Sequence, residues 1–96
     1  MTSPAVYSTS KSALIGLTRY LATYLGEFNI RSNSISPGGL KGDQNKRFIQ
    51  NYSKKVPLKR MGDVDEIVQC ILFLSSNKSS YISGQNIVVD GGYTSW

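Results

Sequence analysis

The chain has 96 residues, 40% of them hydrophobic and 18% charged, which fits one small globular domain and excludes a disordered polypeptide. Its net charge of +5 is concentrated, because residues 41–60 hold seven basic residues against one acid while the remainder is close to balance. The single cysteine, Cys70, excludes an internal disulfide framework and suits a reducing cytoplasm, and a chain without histidine offers no histidine triad and no usual zinc site, so no metal is expected.

The first predicted element is a helix over residues 4–28. Ser3 and Pro4 read as N-cap and first helical position. Leu14, Leu17, Leu21, Leu25 and Phe28 then recur at three- and four-residue steps, with Ala13, Tyr20 and Tyr24 widening the stripe. Gly26 and Asn29 are stop signals. Gly16, inside the helix, costs about 1 kcal/mol against alanine, so a close neighbour is expected there.

Residues 30–36, IRSNSIS, read as a strand on the strength of Ile30 and Ile35. The Pro37–Gly38–Gly39 run breaks it. Phe48, Ile49 and Tyr52 stand at helical spacing in the basic segment that follows and predict a short amphipathic helix. Residues 56–62 read as a connector. Asp63 and Glu66 have capping-box spacing, and Ile67, Val68, Ile71, Leu72 and Leu74 carry an apolar stripe to Ser75. Residues 86–92 read as a buried strand closing in a glycine turn, with Asp90 in that turn. Strands separated by helices imply an α/β layer with parallel pairing, yet two strands fall short of the covered sheet that such a layer needs. No run of about 18 apolar residues is present, so no membrane span is predicted. The N-terminus lacks the basic start and apolar core of a signal peptide.

Tyr7 and Lys11 are four apart near the start of the first helix and so share one face. A free tyrosine titrates near pH 10, so acid–base work at neutral pH takes about three units, or ~4 kcal/mol. An ammonium about 4 Å away supplies roughly that much in gross Coulomb terms at an effective dielectric of 20. The pair is therefore capable of general acid–base chemistry. By itself it does not identify that chemistry, since the chain's tyrosines and lysines produce ~0.4 such spacings by chance.

The joint pattern is more specific. YSTSKSAL, IRSNSISPGG, PLKRMGDVDEI, ILFLSS and YISGQNIVVDGG appear in one order across nearly all 96 residues. Together they closely resemble the C-terminal part of the short-chain dehydrogenase/reductase family. The resemblance implies a doubly wound Rossmann-type parallel sheet, incomplete here, with residues 1–96 as its C-terminal portion. It implies hydride transfer between the nicotinamide of NAD or NADP and a small-molecule carbonyl or secondary alcohol. Tyr7 would exchange the proton at the substrate oxygen. Lys11 would tune the tyrosine and hold the cofactor ribose. Pro37, Gly38, Gly39 and Leu40 would form the turn beside the nicotinamide, with backbone groups meeting its carboxamide. The basic segment would be the mobile loop over the substrate, and the whole enzyme would be a cytoplasmic homodimer or homotetramer. The stretch from Ser36 to Met61 looks more like members tied to surface-sugar and flagellin-glycan pathways, and a basic loop would suit a nucleotide-linked or acidic sugar.

The departures bear on activity. The glycine-rich phosphate turn, the residue that selects NAD or NADP and the central asparagine segment are absent. The catalytic serine belongs about a dozen residues before the tyrosine, and only six residues precede Tyr7. A threonine common after the Pro-Gly turn is Gly42. The chain is thus expected to carry half an active site and to be inactive alone. Two other readings remain: a non-catalytic remnant that associates with intact subunits, and a basic module for nucleic acid or another anionic ligand, with Phe48 and Tyr52 interleaved among the cations. The second has no accompanying helix-turn-helix, zinc or RNA-binding signature, so nucleic acid is the weaker partner.

Overall fold

The computed structural model describes residues 5–95. Ser3 and Pro4, and with them the predicted helix start, lie outside the described residues. The first helix, α1, runs Ala5–Leu25. Its end tightens into a 3-10 turn over Gly26–Phe28, and Asn29 closes it in the left-handed region at φ 59° with its N–H donating to Gly26 O.

The contact face of α1 keeps only part of the predicted leucine stripe. Leu14, Leu17 and Phe28 are exposed, whereas Leu21 and Leu25 of that stripe are half buried, with Ile15, Thr18 and Ala22 completing the covered seam. The apolar arc is wide enough for either row, and the neighbour chooses. The chain at Gly84 passes so close that a Cβ there would sit 3.3 Å from Ala22 Cβ, and the small alanine admits it. Thr18 is the buried polar residue of the seam, and its hydroxyl satisfies itself on Leu14 O at 2.8 Å. Nothing lies within 4 Å of a Cβ at Gly16, so the expected close neighbour is not found there among the described residues.

Strand β1 is Ser34–Pro37, shorter and later than predicted. Residues 31–33 are held by other partners. Arg31 donates from Nη1 to Ser79 Oγ (3.1 Å) and from Nη2 to Ser76 O (3.1 Å). Asn33 Nδ2 donates to Ile82 O at 2.9 Å, and its Oδ1 accepts Gln85 N–H at 3.1 Å. These bonds fasten the 76–85 loop and deliver the second strand, β2 (Asn86–Val89), alongside the first. The two pair parallel, from Ser34 opposite Asn86 to Pro37 opposite Val89, as the alternation of elements implied. The strand is half buried where a buried one was expected, with Val88 exposed, and residues 90–92 form the predicted glycine turn that closes it.

Helix α2, Lys46–Lys54, is the predicted short helix; Asn45 caps it by accepting Phe48 N–H at 2.8 Å. Helix α3, Val64–Ser75, begins and ends where the sequence placed it. Glu66 reaches back to the Asp63 N–H at 3.0 Å, as capping-box spacing predicts. Its apolar stripe is largely open, with Val68, Ile71 and Leu72 exposed and Ile67 and Leu74 only half buried.

The buried apolar centre lies elsewhere. Val56 (1% exposed) and Met61 (6%) sit in the segment read as a mere connector. There the α2–α3 link meets the turn after β2, so closely that a Cβ at Gly91 would stand 2.8 Å from Val56 Cγ1. The molecule measures 49 × 32 × 25 Å, and its radius of gyration of 15.6 Å exceeds the ~12.5 Å of a compact chain of this length.

Candidate active site

In a parallel α/β layer the carboxyl ends of the strands face the ligand side. Pro37 ends β1, and the chain turns there through Gly38, Gly39 and Leu40. This turn is held from three directions. Gly38 N–H continues the ladder to Val89 O at 2.9 Å. Gly39 N–H donates to the Tyr52 hydroxyl oxygen, also at 2.9 Å. Leu40 bridges Gly62, with Gly62 N–H donating to Gly39 O (2.9 Å) and Lys41 N–H to Gly62 O (2.7 Å).

Both glycines are required by close approach. A Cβ at Gly38 would fall 2.7 Å from Asp90 Cβ, and one at Gly39 would fall 2.5 Å from the Tyr52 ring. The space a side chain would take is filled by the protein itself. Tyr52 is in turn fixed by stacking on Tyr93 (centroids 5.6 Å, 8° between planes) and on Phe48 (6.2 Å). The turn thus rests on α2, which is the middle of the basic segment.

The bridge to Gly62 uses Gly39 O and Lys41 N–H, so Leu40 presents its own N–H and C=O on the opposite side. There Gln44 Nε2 donates to Leu40 O at 3.1 Å, while Gln44 Oε1 accepts Gly42 N–H at 2.7 Å. The donor and acceptor set at this turn therefore fits a primary carboxamide, the group that nicotinamide carries.

Tyr7 and Lys11 stand on the first turns of α1, one helical turn apart. Both are exposed, Tyr7 at 59%, and among the described residues neither side chain has a hydrogen-bond partner. They do not line the cavity of about 290 Å³ beside the turn, whose wall includes Leu40, Tyr52, Leu58, Arg60, Ile67 and Val88. The sequence-predicted residues therefore form two groups: an ordered turn, Pro37–Leu40, and an open helical pair, Tyr7 and Lys11.

Two carboxylates near the turn have assigned work. Arg60 grips Glu66 with both nitrogens, at 2.7 and 3.0 Å. That hydrogen bonding, helped by the Asp63 N–H, pulls the Glu66 carboxyl down to about 2 and raises the Arg60 guanidinium. Asp90 is held below its ordinary value chiefly by the Thr94 hydroxyl, at 2.8 Å, and by N–H groups of the turn it closes. Neither is a free acid–base group. Tyr52 was read from sequence only as a helical and stacking aromatic, not as the anchor of this turn, and Gln44 was not singled out. The helical spacing of Phe48 and Tyr52 was visible, but a partner 13 residues away was not.

Comparison with known proteins follows the same lines. A family profile described as enoyl-(acyl carrier protein) reductase matches residues 1–94. The 3-oxoacyl-(acyl-carrier-protein) reductase FabG of Buchnera aphidicola is 44% identical over 90 residues, covering 90% of this chain and 37% of that protein. D-arabinitol 2-dehydrogenase of Candida tropicalis is 39% identical, covering 95% of this chain and 35% of the enzyme. Among solved structures, a short chain dehydrogenase from Leptospira borgpetersenii with bound NAD+ superposes with a TM-score of 0.87 at 47% identity, over 97% of this chain and 37% of that one. A 4-hydroxyisoleucine dehydrogenase complexed with NADH gives 0.89 at 39% identity, over 100% and 43%. The chain spans a little over a third of the length of the curated relatives it matches.

Proposed function

Since the chain belongs to the short-chain dehydrogenase/reductase family, we propose that it supplies the acid–base pair and the nicotinamide-facing turn of an NAD(P)-dependent oxidoreductase acting on a carbonyl or secondary alcohol. The observation that carries this reading is the turn itself. Pro37–Leu40 lies at the carboxyl end of a parallel strand and offers Leu40 backbone groups to a carboxamide. A bound nicotinamide supplies the hydride chemistry. The residues of this chain bind, orient and move the proton. Leu40 N–H and C=O hold the carboxamide, and Pro37, Gly38 and Gly39 set the direction of that turn. Tyr7 Oη gives its proton to the substrate oxygen in reduction and takes it back in oxidation, and Lys11, one turn along α1, orients the tyrosine and the ribose.

The exposed apolar face of α1, with Leu14, Leu17, Tyr20 and Tyr24, is read as covered in a homodimer or homotetramer. Within the substrate class, the local charge of +6 over residues 41–60 supports an acidic sugar or another anionic substrate. A kinetic preference for an uncharged substrate removes that finer reading.

The test splices residues 1–96 in place of the matching segment of the Buchnera reductase. Tyr7→Phe in this chimera lowers turnover by ~10²–10⁴-fold and leaves cofactor affinity largely intact. Equal turnover of the two chimeras refutes the assignment.

A further inference from the structure

The Gln44 side chain makes two bonds of opposite polarity, donating to Leu40 O and accepting from Gly42 N–H. A neutral primary amide carries both a donor and an acceptor on one planar group and so does both. A carboxylate could not donate to the Leu40 carbonyl, and an ammonium could not accept from the Gly42 amide. The polarity of the two backbone groups also fixes which end of the amide is which. Leu40 O points away from the Gly62 bridge, so no ladder bond competes for it from that strand.

We propose that Gln44 is an internal stand-in for the ligand carboxamide, and that the two compete for the Leu40 carbonyl. This rests on the reading of Leu40 as the nicotinamide contact and adds a residue that sets the affinity of that contact. Gln44 is exposed and sits in a loop ahead of α2, so its amide can swing away without disturbing the Tyr52 anchor. When it leaves, Leu40 O is free for the incoming amide and Gly42 N–H is left to solvent. The closed form therefore keeps the carbonyl satisfied when no ligand is bound, and ligand binding carries the cost of displacing it.

The test uses the 15N-labelled 96-residue chain, its Gln44→Ala variant, and free nicotinamide and nicotinate as probes. In the parent chain, nicotinamide shifts the Leu40 and Gly42 amides and returns the Gln44 side-chain NH₂ signals toward their solvent positions. Gln44→Ala binds nicotinamide about three- to tenfold more tightly, the size of one exposed hydrogen bond released. It also speeds Gly42 amide exchange, and nicotinate binds neither protein. Equal nicotinamide affinity in the two chains overturns the proposal, as does nicotinamide shifting Leu40 while the Gln44 signals stay in place, or no nicotinamide binding to either chain. NADH separates this from the broader reading. NADH that perturbs Lys11 and Leu40 with equal affinity in both chains leaves the dinucleotide assignment standing and overturns the competition. Nicotinamide that displaces Gln44 while NADH perturbs nothing near Lys11 supports the competition and overturns the dinucleotide assignment.

Discussion

Gly38→Ala puts a methyl group where the turn touches Asp90, the first residue past β2. The new Cβ would lie 2.7 Å from Asp90 Cβ and 2.8 Å from Asp90 Cα, whereas carbon atoms rest about 3.5–4.0 Å apart. Gly38 is not in the left-handed region, so backbone conformation is not the obstacle. The obstacle is main chain, which cannot rotate aside as a side chain can. Relief requires the two segments to part by roughly 0.8 Å, measured against that contact distance. Such a shift strains the Gly38 N–H bond to Val89 O, now 2.9 Å. Overpacking costs about 1–3 kcal/mol and a lost ladder bond about 0.5–1.5 kcal/mol, so the variant loses ~2–4 kcal/mol. Gly16→Ala is the internal control. Its Cβ meets nothing within 4 Å, and an exposed helical alanine gains about 0.5–1 kcal/mol. Urea denaturation followed by far-UV circular dichroism reads both. Gly38→Ala within about 0.5 kcal/mol of the parent, or level with Gly16→Ala, refutes the close-approach argument.

Arg31→Lys keeps the charge but loses the planar fork on Ser79 Oγ and Ser76 O, and should cost about 1.5–3 kcal/mol by the same denaturation assay; full stability in Arg31→Lys removes the fork from the account. The Glu66 carboxyl is held at about 2 against its usual 4.5, so its contribution to stability is complete above pH ~4.5 and is lost as pH falls toward about 2. Glu66→Gln should abolish that part of the acid dependence, and parallel pH–stability curves for variant and parent would contradict it. The Tyr7→Phe chimera should separate turnover from cofactor affinity, and Gln44→Ala should tighten nicotinamide binding, as set out above.

Local signals were legible where local chemistry decides. Asp63 and Glu66 placed the start of α3, and Asn29 placed the end of the first helical segment, because caps and left-handed stops act within a few residues. The strand at 30–36 was misplaced because Arg31 and Asn33 spend their side chains on a loop some 50 residues away. The segment 56–62 was read as a link because Val56 and Met61 show no periodicity, yet they are the buried apolar pair among the described residues.

The family membership and the chemical identity of Tyr7, Lys11 and the Pro37–Leu40 turn come from the sequence, since residue type and order along the chain carry them. Which helix face is covered, which glycines are obligatory and which side chain holds the turn are tertiary facts. Gly38 and Gly39 look alike in a PGG run, and only the approach of Asp90 to one and Tyr52 to the other tells them apart. Such contacts join residues 13 to 52 positions apart, and no pattern confined to neighbouring residues encodes what will pack against them.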